Sequence, residues 1–418
     1  MSNVATKVID HFMGQVGAQA AIWLQSCVHC GECAEACHFF EVTQDPRYTP
    51  TWKLEPFARA YRSRKAPFAG VRKALGLAKE PNDAELNDWQ ELIYDSCTMC
   101  GRCSMVCPMG IDIAALVGMA RKSMAANGIG PEDLFAIAEK SREVGSPLGV
   151  TPEKLEERID WLSDDHEVDI PLNKEKADVL LTISSIETMK YPLSIVAMAK
   201  VLNHAGIDWT FSTKGYEATN FGVLSGKADV AKVMIERIVD AAESVGAKTV
   251  VIPECGHAYG ALRWTGAMML GRPLPFEVFH ITEYLAALKR DGKLKLKPVD
   301  GAITYHDPCQ ISRRGGATEA AREVLDGFAQ DFREMSPTGN ANWCCGGGGG
   351  VAAIERATPL RHKVFEIKMK QVEDTGAQMM VSACANCRQT LDGGKEHYKW
   401  DREIGSLVEI VADHLVED

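Results

Sequence analysis

Cys27, Cys30, Cys33 and Cys37 are spaced C-x2-C-x2-C-x3-C, and Cys97, Cys100, Cys103 and Cys107 repeat that spacing with Pro108 behind the last. Thiolates so spaced bind metal. A C-x2-C-x2-C turn is tight enough to wrap three sulfurs around one [4Fe–4S] cubane, and the fourth cysteine, on the helix that follows, ligates the cubane of the other run. Cys27, Cys30, Cys33 and Cys107 are therefore expected to hold one cubane, and Cys97, Cys100, Cys103 and Cys37 the other. Gly31 and Gly101 fall in the turns, where backbone N–H groups must approach sulfide. The competing metal is zinc, with four cysteines per site, but zinc usually takes two C-x2-C pairs held well apart rather than four cysteines in one run. His38 stands where the second run has proline; it is expected to cap or pack rather than tune a potential.

Five more cysteines read C-x34-CC-x38-C-x2-C: Cys309, the Cys344–Cys345 pair, Cys384 and Cys387. The pair opens "CCGGGGG". Adjacent cysteines seldom bridge each other, because the eight-membered ring strains the backbone, and five glycines exclude a regular helix or strand. Cys309 and Cys384 each follow a predicted strand, at the carboxyl edge where α/β sheets bind ligands. Five thiolates exceed the needs of one zinc or one cubane. The pair is expected to give two sulfurs to one multi-iron centre, while the glycines let the backbone lie against it with N–H groups toward sulfide.

The elements that must position these residues change texture along the chain. Residues 1–150 read as a helical, cysteine-bearing domain that begins with an amphipathic helix over 1–20, and the charged stretch 151–176 as a linker helix. From residue 177 strands alternate with helices, which implies βαβ units and a parallel sheet. "ADVLLTIS" and "KTVVIPE" are strands of a first lobe, 177–297, with "LSIVAMAKVLNHAG" and "ADVAKVMIERIVDAAESVGA" as its helices. "GAITYHDPC" and "QMMVSA" are strands of a second lobe, 298–418; "TEAAREVLDGFAQDF" and "IERATPLRHKVFEIKMKQVEDTGA" read as helices. "GAKTVVIPECGHAYGAL" and "GAQMMVSACANCRQTL" match with one inserted residue, so the lobes are a duplication with a period of ~125 residues, too long for a solenoid repeat.

Composition narrows the class. The 418 residues are 46% apolar and 25% charged, those of a globular protein with two or three cores. A net charge of −11 removes the electrostatic attraction that nucleic-acid binding needs. The N-terminus lacks a basic segment followed by an apolar one, so no export signal is read, and the fourteen cysteines are expected to be ligands in a reducing compartment rather than disulfides. With no uncharged apolar stretch of roughly 18 to 20 residues, the chain is expected to be cytoplasmic, or peripheral to a membrane through a partner subunit.

"HDPC", "CCGGGGG" and "CANC" resemble the cysteine-rich CCG domain of heterodisulfide reductases, and the whole layout resembles the HdrD-type subunit of that family and the catalytic iron–sulfur subunit of the membrane complexes of dissimilatory sulfur metabolism. The resemblance implies an α-helical ferredoxin domain with two [4Fe–4S] motifs, followed by two duplicated α/β lobes of CCG type. It implies that Cys309, Cys344, Cys345, Cys384 and Cys387 hold a noncubane [4Fe–4S] cluster that makes or breaks disulfides. The first lobe departs from the pattern: "ISSIE" stands where a first cysteine belongs and "GYEATNFG" where a CCG belongs. Only Cys255 remains, aligned with Cys384, so this lobe is expected to be a wall of the site.

Cys255 and His257 then admit two readings: a redox thiol or extra ligand with a proton donor, or a small buried hydrophobe beside a core histidine. His306 and Asp307 are expected to orient the turn before Cys309. Arg313, Arg314 and Arg388 either attract an anionic sulfur substrate or are solvated. The expected function is an iron–sulfur oxidoreductase subunit passing electrons through two cubanes to or from a site of disulfide, trisulfide or persulfide chemistry. Its expected partners are redox subunits (a membrane quinone or cytochrome subunit, or a flavoprotein) and a small sulfur-carrier protein. The alternative is the electron-relay subunit of a glycolate- or lactate-type flavin dehydrogenase complex.

Overall fold

The computed structural model describes residues 3–65, 68–76 and 79–416. The chain forms two compact units. The first comprises Met1–Ala136, Leu224–Ala228 and Gly346–Val364; the second comprises Ile137–Val223, Asp229–Cys345 and Phe365–Asp418.

The first unit is helical. The helix expected over 1–20 is two helices, Val4–Gln15 and Ala18–Ser26, because Gly17 caps the second; Met1 and Ser2 lie outside the described residues. The side chain of Asn3 accepts from the Thr6 amide and starts the first helix, whose Val8, Ile9 and Phe12 are buried, with Phe12 4.9 Å from the ring of Phe57. Helix Ile113–Ala125 starts at Asp112, whose carboxylate accepts from the Ala115 amide. It carries Arg121, which is fully buried. That guanidinium donates to the carbonyls of Ile93 (3.0 Å), Tyr94 (3.3 Å), Cys97 (2.7 Å) and Leu224 (2.8 Å), and to that of Gly349. One side chain thus ties together the three stretches of chain that make this unit.

The glycine run is explained here. Gly349 has φ +61°, and a Cβ on it would meet the Thr98 carbonyl carbon at 2.8 Å and the Cys97 oxygen at 3.0 Å. Gly350 has φ +85° and lies against Leu134. The later glycines therefore press on the Cys97–Thr98 loop, whereas they were expected to line the centre next to Cys345. Gly349→Ala should cost about 2 kcal/mol or more from the left-handed backbone and the overlap together. Its urea midpoint against the wild type checks this.

The second unit contains two four-stranded parallel sheets. One is ordered β2-β1-β3-β4, from Trp209–Thr210 (β2), Val179–Leu181 (β1), Thr249–Ile252 (β3) and Glu277–His280 (β4). The other is ordered β6-β5-β7-β8, from Ala329–Phe332 (β6), Val299–His306 (β5), Met379–Ser382 (β7) and Glu403–Ser406 (β8). Matching order is what a duplication requires. Val179 pairs with Thr249 in the first sheet and Ile303 with Met379 in the second. The inner strands β1, β3 and β7 are short and mostly apolar, and β5 is buried over its last four residues, Ile303–His306, as strands covered on both faces must be. A shared core of residues from both lobes, among them Leu181, Ile195, Phe211, Ile303, Tyr305 and Leu407, joins the two sheets.

Several elements differ from expectation. The helix Thr318–Leu325 stops before Gly327, at φ +67°, and β6 follows where one long helix was read. β4 and β8, not among the expected strands, run directly into helices capped by His280 and Ser406. Helix Pro152–His166 is no free linker: Leu155, Ile159 and Leu162 are buried in the shared core. No helix among the described residues is long and apolar enough to cross a membrane.

Candidate metal centres

The two ferredoxin-type turns are built alike. Gly31 (φ +90°) and Gly101 (φ +76°) are left-handed, and so are His29 and Met99, both at φ +54°. Non-glycine residues in that region carry strain, here at the residue before the second cysteine of each run. A short helix follows each turn, Glu32–Glu35 and Arg102–Met105. The result is two separate cavities. Cys27, Cys30, Cys33 and Cys107 line one; Cys37, Cys97, Cys100 and Cys103 line the other. The fourth cysteine of each run thus lies with the first three of the other. His38 is buried beside the second cavity, its ring 4.2 Å from that of Phe39.

The cavities differ in charge. Burial pushes the Cys33 thiol up, with Thr51 pulling it down through hydrogen bonds. Burial also pushes Cys103 well up, and neighbouring Cys100, Cys37 and Cys97 add to it. At Cys97 burial again dominates, but Lys53 and Arg121 pull the other way. Both cations are buried. Lys53 Nζ lies 3.9 Å from Cys37 Sγ and donates to the Ser96 carbonyl. Four sulfurs per cavity with two buried cations at the second suit an anionic iron–sulfur cluster. Sequence reasoning missed both cations; a lysine among aromatic residues in "PTWKLEPFARAY" was the available signal.

The remaining cysteines meet at the carboxyl ends of β5 and β7. Cys309 follows β5, and Cys384 follows β7 as the cap of helix Ala385–Tyr398, whose first turn carries Cys387. All five, with Cys344 and Cys345, are buried, and none of the fourteen cysteines is in a disulfide. Cys309 Sγ is 3.8 Å from Cys344 Sγ. A ring nitrogen of His306 and the Sγ atoms of Cys345 and Cys387 lie within 4.8 Å of one another. Hydrogen bonds with Cys345 and Cys384, together with burial, hold the Cys387 thiol well up. The Cys387 side chain and the amides of Cys387, Gly256 and Asn386 hold Cys384 below the usual thiol range. Five convergent thiols with one thiolate-stabilising helix end make a donor set suited to a cluster.

His306 and Asp307 divide the role expected of them. Asp307 orients: its carboxylate accepts from Arg322 (2.6 and 2.9 Å) and from the Gly339 amide (2.8 Å), fixing the loop that leads to Cys344. His306 instead faces the sulfurs. Its Nε2 is buried without a hydrogen-bond partner, and burial, with Lys368 adding to it, holds the ring neutral, well below the usual imidazole range. Lys368 is a residue that sequence reasoning missed. It is buried on helix Thr358–Thr375 and donates to Asn342 (2.8 Å) and Gln371 (2.6 Å). Burial brings it down to about 7, with Asp307, Cys345, Cys344 and Cys387 pulling upward. Its place on the same helix face as Phe365 and Val372 was the available sign.

Arg313 holds the carbonyls of Asn340 and Asn342, while Arg314 is exposed. Arg388 is buried and paired with Glu409 at 2.9 and 3.1 Å, so neither reading given for it applies. Cys255 caps helix Gly256–Gly260 with nearly the backbone angles of Cys384 (φ −140° and −148°). The lobes face each other there: the Ala385 amide donates to the Glu254 carbonyl at 2.7 Å, and a Cβ on Gly256 would meet Gln310 and Ile311 at 2.9 Å. Cys255 is pushed up by burial first and by Cys384 next. His257 lies half-buried one turn position beyond Gly256.

Comparison with known proteins agrees with this architecture. The family described as "4Fe-4S dicluster domain" matches residues 23–111, and the CCG family, described as "Cysteine-rich domain", matches residues 303–392. The chain is 30% identical to the HdrD polypeptide of the dihydromethanophenazine:CoB–CoM heterodisulfide reductase of Methanosarcina barkeri, over 94% of both chains. It is 27% identical to the Hdr-like menaquinol oxidoreductase iron–sulfur subunit 2 of Archaeoglobus fulgidus, over 94% of this chain and 80% of that one. It is also 27% identical to the EtfAB:quinone oxidoreductase of Syntrophomonas wolfei, over 89% of this chain and 55% of that one.

Proposed function

This chain belongs to the HdrD family of heterodisulfide reductase subunits, and from that premise we propose that it passes electrons through two cubanes to or from a noncubane [4Fe–4S] site where a disulfide, trisulfide or persulfide bond is broken or formed. Cys27, Cys30, Cys33 and Cys107 hold the first cubane, and Cys97, Cys100, Cys103 and Cys37 the second. Cys309, Cys344, Cys345, Cys384 and Cys387 hold the terminal site. The observation that carries the reading is that these last five thiols are buried together at the ends of β5 and β7 beside a neutral imidazole.

A cluster bound there supplies single-electron chemistry at sulfur, which thiol–disulfide exchange alone does not. The chain's own groups do the rest. Asp307 and Arg313 fix the loop bearing Cys344 and Cys345, and the buried Lys368 offsets thiolate charge. The partners are redox subunits, one of them attaching the complex to a quinone-linked membrane system, and a small protein that carries the sulfur substrate.

The test is anaerobic purification followed by iron analysis, EPR of an oxidised sample, and reduction of a disulfide by a one-electron donor dye. The expected result is about twelve irons per chain, a paramagnetic signal that cubanes alone do not give, and turnover of the disulfide. About eight irons and a silent oxidised sample would leave the relay role alone, as in a flavin-linked dehydrogenase complex.

A further inference from the structure

The first lobe fills the place of the cysteine centre with other chemistry. Ser185 is as far along the chain from Val179 as Cys309 is from Ile303, and those two strand residues are register equivalents. Cys255 corresponds to Cys384, and Glu254 is the inserted residue between the two matching stretches. Glu217 comes from the loop that corresponds to the one bearing Cys344 and Cys345. These positions converge as their counterparts do, but they carry hydroxyls and carboxyls.

They form a chain of hydrogen bonds and close contacts. Ser146 Oγ and Ser185 Oγ are 2.6 Å apart. Ser185 donates to Glu217 Oε2 through its hydroxyl and, at 2.8 Å, through its amide. The Thr219 amide donates to Glu217 Oε1 at 2.8 Å, which sets the Thr219 hydroxyl beside the carboxyl. The Thr219 hydroxyl then reaches Cys255 Sγ at 3.6 Å. Beyond Cys255 lies Cys384, close enough to raise its thiol. Ser146, Ser185, Glu217, Thr219 and Cys255 are all buried, and Ser146 lies in a loop whose Leu148 is exposed. Beside the chain, Glu187 is fully buried, and its Oε1 has no hydrogen-bond partner.

We propose that Ser146, Ser185, Glu217, Thr219 and Cys255 form a buried proton relay that delivers protons to the Cys384 side of the cysteine centre. This rests on the sulfur chemistry proposed above. Cleaving R–S–S–R′ to two thiols consumes two electrons, supplied by the reductant through the cubanes, and two protons. Glu217 gives up one proton toward Cys255 through Thr219 and regains it from solvent through Ser185 and Ser146. The carboxyl suits that task because burial holds it protonated up to about pH 7. Glu187, also raised to about 7 by burial and by Glu217, titrates with it. The other titratable groups facing this pocket are Tyr216 in the same loop, Glu254 and Cys255 after β3, and, across from Glu254, Arg388 and Glu409. A proton donor works in its protonated form, so turnover falls as pH rises through about 7.

The test is Glu217→Gln in the cluster-loaded protein, with Thr219→Val as a second interruption of the chain. Iron content and the oxidised EPR signal should match the wild type, which reports that the variants fold. With disulfide as substrate, kcat should fall about 100-fold with KM within about twofold, and the decline through neutral pH should disappear in Glu217→Gln. Without any substrate, infrared difference spectra between about pH 6 and about pH 8 should show protonated-carboxyl absorption that bleaches in the wild type, and the variant should lose the Glu217 share of it while keeping that of Glu187. If the wild type turns over and both variants match its kcat and pH profile, the relay is overturned while the sulfur chemistry stands. If the wild type reduces no disulfide, the functional reading fails, and the relay fails with it.

Discussion

Cys345→Ala should leave the two cubanes in place and silence the third centre: iron falls from about twelve to about eight per chain, the paramagnetic signal of the oxidised protein disappears, and disulfide reduction drops at least about 100-fold. The reason is position. Cys345 Sγ is grouped with Cys387 and with the His306 ring, and its neighbour Cys344 is 3.8 Å from Cys309. Removing that sulfur opens the donor set at its middle rather than at its edge. The loop itself should survive, because Asp307, Arg322 and Arg313 hold it through other residues, Gly339 and Asn340 among them. A buried cysteine replaced by alanine loses one small apolar group, costing about 1 kcal/mol. Cys255→Ala is the control, with the iron count unchanged. Undiminished disulfide reduction by Cys345→Ala would sink the proposed chemistry.

Arg121→Met should be the most destabilising single change in the first unit. Five carbonyls, from Ile93, Tyr94, Cys97, Leu224 and Gly349, share this guanidinium in a site without water access. Burial lowers its pKa, yet no carboxylate bonds it; the carbonyl dipoles and the nearby Cys97 compensate the charge. Methionine fills most of the volume and satisfies none of the acceptors. Buried carbonyls left unpaired cost roughly 1 to 3 kcal/mol each, and because they relax together the loss should be on the order of 3 to 5 kcal/mol. Loss of a positive charge beside Cys97 should also make the second cubane harder to reduce, by on the order of 60 mV, one tenfold step in a one-electron equilibrium. Arg121→Lys should rescue little, since a single ammonium cannot reach acceptors spread around a planar fork. Denaturant titration and a redox titration of the cubanes measure both effects. A variant within about 1 kcal/mol of wild type would mean that the carbonyls find other donors.

What was legible in the chain was whatever depends on short spacing. The ferredoxin runs declare themselves because three sulfurs must wrap one small cluster, and β1, β3 and β7 because buried parallel strands are short apolar runs. β4 and β8 were not legible: four residues entering a capped helix have no pattern of their own. The left-handed His29 and Met99 were hidden because neither residue type announces that conformation. Lys53, Arg121 and Lys368 resemble surface cations until the fold shows what surrounds them. The residence of Gly346–Val364 in the first unit could not be read at all, since that contact is set by packing across more than two hundred residues of chain.

That last feature bears on how the protein is made. The first unit is complete only when Gly349 has offered its carbonyl to Arg121 and its bare backbone to the Cys97–Thr98 loop. During synthesis the ribosome must add everything from residue 137 to that segment first, a wait of roughly ten to forty seconds at ordinary elongation rates. Through that interval eight cysteines have emerged while the wall beside the Cys97–Thr98 loop is missing. The chain therefore couples maturation of its electron-carrying half to near-completion of translation. Iron delivered early meets an open, half-made pocket, and iron delivered late meets a closed one.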